Sequence, residues 1–205
     1  MARSEKKLQT RQRILDAAGR GFRKGGFGGV GVDGLAKEAG VTSGAFYVHF
    51  DSKATAFRES VAQGMSDLKD GVRHFQTTHG RTWWPEFVRF YLGTKRTCDL
   101  SESCALQSFP PEVARSDASS RAAFEAELLD VATIVAAGPP SDGVPPDADA
   151  AMAALATLVG AVTLARAMDD PAVSGRIAAA AERVLLPACH AKSKPVKTPP
   201  SRVQR

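Results

Sequence analysis

The sequence predicts an all-α fold, with a three-helix N-terminal module followed by a larger helical domain. Three observations carry this. Apolar residues recur at three-and-four spacing along most of the 205 residues, no convincing run alternates with the period of a strand, and glycine and proline cluster where one helical pattern stops and the next begins. The length suits one small module and a larger domain, each burying a usable core. The expected division is residues 1–53, residues 54–190 and a basic disordered tail at 191–205.

The first helix is expected from about Thr10 to Lys24, where Ile14, Ala17, Ala18, Gly21 and Phe22 form one apolar stripe. Thr10 is a candidate N-cap, Arg11 and Arg13 lie near where a DNA backbone would run, and the pair Gly25-Gly26 ends the helix. The segment VDGLAKEAGVTSGAFYVHFDSK, residues 32–53, then reads as a helix, a tight turn and a second short helix. Val32, Leu35 and Ala36 share a face. Gly40 can take the positive φ that ends a helix, Val41 can plug the angle, and Thr42 or Ser43 can cap the next N-terminus. In the following helix, about Ser43 to Phe50, Phe46 and Phe50 pack inward and leave Ser43, Gly44, Ala45, Tyr47 and His49 outside or at the leading end. Such a helix suits a DNA groove. Small residues let the backbone approach base edges, Tyr47 and His49 can bond phosphate oxygens, and Lys53 adds a point charge. The candidate DNA-contacting set is Thr10, Thr42, Ser43, Gly44, Ala45, Tyr47, His49 and Lys53. Tyr47 and His49 could also be plain surface residues of a small helical domain, but the whole segment matches, not one residue.

Beyond the module a helix is expected from Ser52 to His79, with Phe57, Val61, Met65, Leu68, Val72 and Phe75 down one face, as a lever between the two parts. Thr82 to Thr97 follows, with Pro85 in the first turn. A short helix is expected to end near Phe109, interrupted by Pro110-Pro111, and Ser116 to Ala137 forms the next. The stretch GPPSDGVPPD reads as a rigid loop ending at Asp147. Two alanine-, leucine- and valine-rich helices close the chain, Ala148 to Met168 and Ala172 to Cys189. Helices this apolar should be buried nearly all round, in the monomer core or in a four-helix interface between two subunits.

From Thr10 to about Phe57 the chain resembles the TetR family of transcriptional regulators. The resemblance rests on the turn Ala39-Gly40-Val41-Thr42, the recognition-helix run Phe46-Tyr47-Val48-His49-Phe50 and the following Ser52-Lys53. Gly31 stands where the family often has a capping Ser or Thr, a change that costs only a few tenths of a kcal/mol. Gly28, Gly29, Gly31 and Gly34 loosen the approach to the motif, and Ala54 replaces a usual acidic residue. The resemblance implies a homodimer that reads a palindromic operator in double-stranded DNA, most often as a repressor, and a ligand-binding and dimerisation role for the C-terminal domain. Candidate effector-binding residues are Phe87, Phe90, Tyr91, Cys104, Phe109 and Phe124, although each can equally be core; an aromatic lining favours a lipophilic effector. Candidate dimerisation residues are Leu155, Leu158, Val159, Val162, Ile177 and Val184.

Charge separates along the chain: residues 1–60 carry +5, residues 61–190 carry −5 and residues 191–205 carry +5. A phosphate-binding module should be basic, and a domain that pairs with itself need not be. No run of about 18 apolar residues and no leader peptide is evident, so a cytoplasmic protein with no membrane partner is expected. Cys98, Cys104 and Cys189 form no C-x-x-C pair, which argues against a disulfide framework and a zinc knuckle. Cys98 and Cys104 instead offer an alternative control by oxidation or an electrophile, with Lys95 and Arg96 near Cys98. His49, His74, His79 and His190 make no metal-ligand spacing, though His74, His79 and Cys98 are a conceivable set. No nucleotide loop or G-x-S-x-G is present. Neither an enzyme nor a bound cofactor or metal is expected.

Overall fold

The computed structural model describes residues 3–186, and every described regular element is helical. Cys189, His190 and the tail at 191–205 lie outside the described residues. The first helix, α1, is Arg3–Gly29. It starts well before Thr10, which sits half-buried inside it and caps nothing. The residues from Glu5 to Gln9 are good helix formers with an acid in the first turn, so propensity extends the helix where the apolar stripe has not yet begun. At the other end Gly26 adopts φ 70°, ψ 173° and kinks the helix before it continues to Gly29.

The stripe of α1 is buried as expected: Ile14, Ala17 and Ala18 are fully enclosed, with Leu15 and Phe22 beside them. It packs against α2, Val32–Glu38, and the long α4, Lys53–Thr78. Between these lies α3, Ser43–His49, whose Phe46 and the following Phe50 complete the small core. Ser52 caps α4, its Oγ accepting from the Thr55 amide at 3.0 Å. Along α4, Phe57, Val61, Met65, Leu68 and Val72 are buried and Phe75 is half-buried.

A 3-10 turn, Gly80–Thr82, leads into α5, Trp83–Thr97. The break at Pro110-Pro111 falls where the sequence places it, but the pair also starts a helix that patterning did not foresee. Helix α6, Ala105–Ser108, ends there, but Pro110 opens α7, Pro110–Ala114, because proline's missing N–H and fixed φ suit a first helical turn. Helix α8, Ala118–Ala136, is capped by Asp117, and α9, Ala148–Arg166, by Asp147 at 2.8 Å to the Ala150 amide. The intervening loop is pinned to α5: Trp83 Nε1 donates to the Pro139 carbonyl at 2.8 Å, and Ser141 Oγ accepts from the Trp84 amide. Helix α10, Pro171–Leu185, begins on a proline and runs against α9.

Helix α9 corrects two expectations. By length and composition it could cross a membrane, with mean hydropathy 1.7, yet it packs on α5, α8 and α10. Within one chain α9 and α10 keep an exposed face, which rules out full burial in the monomer core and leaves the interface between two subunits as the alternative. Leu155, Leu158 and Val162 are buried within the chain, whereas Leu164 is 59% and Val184 71% exposed; α9 ends at Arg166, short of the Met168 expected from the sequence.

Candidate nucleic-acid interface and effector cavity

The turn between α2 and α3 is built by hydrogen bonds that require its residues. Gly40, at φ 68°, donates to the Lys37 carbonyl at 3.1 Å, and Val41 N reaches the Ala36 carbonyl at 2.9 Å. This pair of bonds is the Schellman ending, in which a left-handed residue satisfies the last carbonyls of a helix. Thr42 then caps α3, its Oγ1 accepting from the Ala45 amide at 3.2 Å. Ser43 does not cap; its hydroxyl donates to Asp33 of α2 and braces the two helices.

With Phe46 buried, α3 turns Gly44, Tyr47 and Val48 outward; Tyr47 is 55% and Val48 69% exposed. Ser43 and Ala45 are half-buried. Val48 was missed from the sequence because an apolar residue in a helix reads as core. His49 is also half-buried, with Nδ1 enclosed and lacking a hydrogen-bond partner. Burial first, then the positive charges of Lys7 and Arg11, lower its pKa below the usual histidine value. Lys53 is half-buried, its Nζ 4.5 Å from the centre of the Phe27 ring. Arg11 pairs with Glu59 and lies over Phe50 at 4.7 Å, so its charge ties α1 to α4.

A cavity of about 500 Å³ opens where α1, α4, α5 and the α5–α6 connection meet. Phe87, Phe90, Tyr91 and Cys104 line it, together with Phe75, Leu68 and Arg23, which sequence patterning did not select. Phe109 and Phe124 do not. Phe109 is fully buried against Phe57, with ring centres 5.6 Å apart, under the junction of α4 and α6. Phe124, on α8, faces a separate small recess with Phe57, Val61 and Val113. The Tyr91 hydroxyl is buried without a hydrogen bond of ordinary geometry. Burial, then the neighbouring Cys104 thiol, pushes its pKa well above the usual phenol range.

Residues 14–59 match the family model described as bacterial regulatory proteins, tetR family. The N-terminal module is that of the TetR family. Over 61 residues it is 46% identical to the HTH-type transcriptional regulator AcrR of Shigella flexneri, a match spanning 29% of this chain and 28% of that protein. A TetR-family regulator from Cytophaga hutchinsonii superposes with TM-score 0.67 over 88% of this chain and 94% of its own, at 19% identity. The FadR regulator of Bacillus subtilis, solved with stearoyl-CoA, gives TM-score 0.58 at 18% identity over 87% of this chain and 99% of its own. These two likenesses establish the shared helical fold.

The outer face of α9 and α10 is the other candidate surface. Val159 and Ile177 are half-buried and Val184 is exposed, whereas Leu155, Leu158 and Val162 are spent on the chain's own core. Small residues Ala156, Thr163 and Ala180 stand exposed among them. The cation against Cys98 is not Lys95 or Arg96, as their sequence neighbourhood suggested, but Arg166 of α9: its Nη2 donates to Cys98 Sγ at 3.1 Å and to the Lys95 carbonyl at 2.6 Å, while Arg96 turns to the Leu92 carbonyl and Ser174. Among the described residues no cluster of three metal-ligating side chains occurs.

Proposed function

We propose that the chain is a cytoplasmic transcriptional regulator that binds a palindromic operator as a homodimer, acts as a repressor, and is released when a lipophilic effector occupies the cavity beside α4 and α5. The observation that carries this reading is α3. It is held at a fixed angle by the Gly40 turn, with Tyr47 and Val48 outward and its leading end open. Thr42, Ser43, Gly44 and Ala45 supply a close approach to bases, and Tyr47, His49, Lys53 and Thr10 phosphate contacts. Release requires an effector that prefers the non-DNA conformation, by about 1–3 kcal/mol for a typical coupling.

Fluorescence anisotropy with a labelled duplex tests the DNA contacts. Lys53→Ala should weaken binding to every sequence and reduce the salt slope by about one unit. Tyr47→Ala should weaken binding with an unchanged melting temperature, since Tyr47 is exposed. Wild-type affinity unaltered by either change would contradict the assignment.

A second reading is favoured by the Arg166–Cys98 contact, because a cation touching a thiol is the setting in which cysteines react with oxidants. Under it, diamide would release DNA from the wild type and leave Cys98→Ser bound. Equal behaviour of the two proteins would retire it.

A further inference from the structure

Arg23 is a residue of α1 that leaves the DNA-binding module and enters the effector cavity. Its guanidinium crosses α4 at Gly64, where a Cβ would stand 2.8 Å from Nη2, and comes to rest with Cζ 5.5 Å from the centre of the Phe109 ring. Its Nε is buried with no hydrogen-bond partner, and among the described residues no carboxylate pairs with it. The two acids that share the cavity are otherwise placed. Asp67 is exposed and accepts from Gln63 at 2.8 Å, and Glu102 is exposed while its carbonyl takes the Lys95 ammonium at 2.9 Å. The buried Tyr91 hydroxyl, with only the Cys104 thiol beside it, faces the same cavity, and Phe75, Phe87 and Phe90 form an apolar wall.

A buried donor left without an acceptor is costly, and a charged one more so. We propose that the effector is a lipophilic acid, its apolar body against Phe75, Phe87 and Phe90 and its carboxylate taken by Arg23. The inference rests on the cavity being the effector site. It adds a ligand class and a route: an acid bound to Arg23 pulls on α1 itself, the helix on which α2 and α4 pack. Lys95, whose Nζ lies 5.9 Å from the centre of the Phe90 ring, adds positive charge beside the aromatic wall.

The test is calorimetric titration of the full chain with decanoate and phenylbutyrate, each beside its primary amide and its amine. The acids should bind at least about tenfold more tightly than the amides, the yield of one charge-assisted hydrogen bond. Arg23→Gln should erase that preference, whereas Arg23→Lys should keep part of it. A cooperative thermal melt of Arg23→Gln shows that the variant is folded. Equal binding of acid, amide and amine to the wild type, or an acid preference that survives Arg23→Gln, would overturn the acidic head and leave the cavity standing as the site. No binding of any of the six compounds, with a melting temperature unmoved by all of them, would overturn the cavity reading and this proposal together.

Discussion

Single residues in the reading head have environments that general rules for their type do not give. His49 follows a pattern-based place on the outside of α3, yet its ring is half-buried and its charged form is disfavoured by burial, Lys7 and Arg11. The sign of the consequence is fixed by linkage. A histidine whose folded pKa lies below 6.5 takes up its proton later in the folded chain than in the unfolded one. Its contribution is therefore full above the ordinary histidine range and is lost as pH falls toward the lowered value. Thermal melts of the wild type should drop between about pH 7.5 and pH 5.5, and His49→Gln should drop less over the same window. Identical slopes would place the proton uptake elsewhere. Bound phosphates oppose the effect of Lys7 and Arg11, so DNA should favour the protonated ring.

At the scale of elements, two glycines in α4 make opposite predictions. A Cβ on Gly64 would meet Ala105 Cβ at 2.5 Å and Arg23 Nη2 at 2.8 Å, so α6 and α1 approach α4 only because that position is bare. Gly64→Ala should destabilise the chain by about 1–2 kcal/mol, overpacking outweighing the gain in helix propensity. Nothing lies within 4 Å of a Cβ on Gly71, and Gly71→Ala should stabilise by up to about 1 kcal/mol. Urea denaturation of both variants measures the difference; a stabilised Gly64→Ala would show that the packing at this crossing gives way.

The same elements show what patterning can and cannot reveal. The α2–α3 motif and the buried face of α4 were legible, because each rests on local spacing and turn chemistry. The start of α1 was not, since residues 3–9 are all polar or charged except Leu8, itself 65% exposed. Nor was α7, because a proline pair reads equally as a stop and as a start. The cavity was half-legible. Phe87, Phe90 and Tyr91 announce themselves as aromatics on one helix, but Arg23 reaches the cavity only through the packing of α1 on α4.

For the whole molecule, the apolar residues left on the outside of α9 and α10 are what a second copy would cover. Leu164→Glu with Val184→Glu should leave the monomer fold intact, since neither side chain enters the core, and shift sedimentation from dimer to monomer. A dimer unaffected by both charges would move the interface elsewhere. Pairing would matter because one short α3 reaches few bases, and in the proposed dimer two-fold symmetry would place two such helices about 34–36 Å apart on one face of a duplex.

The central claim, a pair of α3 helices read into successive major grooves, is tested most directly by selecting binding sites from random duplex DNA with the purified full chain. The account predicts enrichment of a two-fold-symmetric sequence whose half-sites lie about one helical turn, or a multiple of it, apart. Enrichment of only asymmetric single sites, or of no sequence at all, would contradict it.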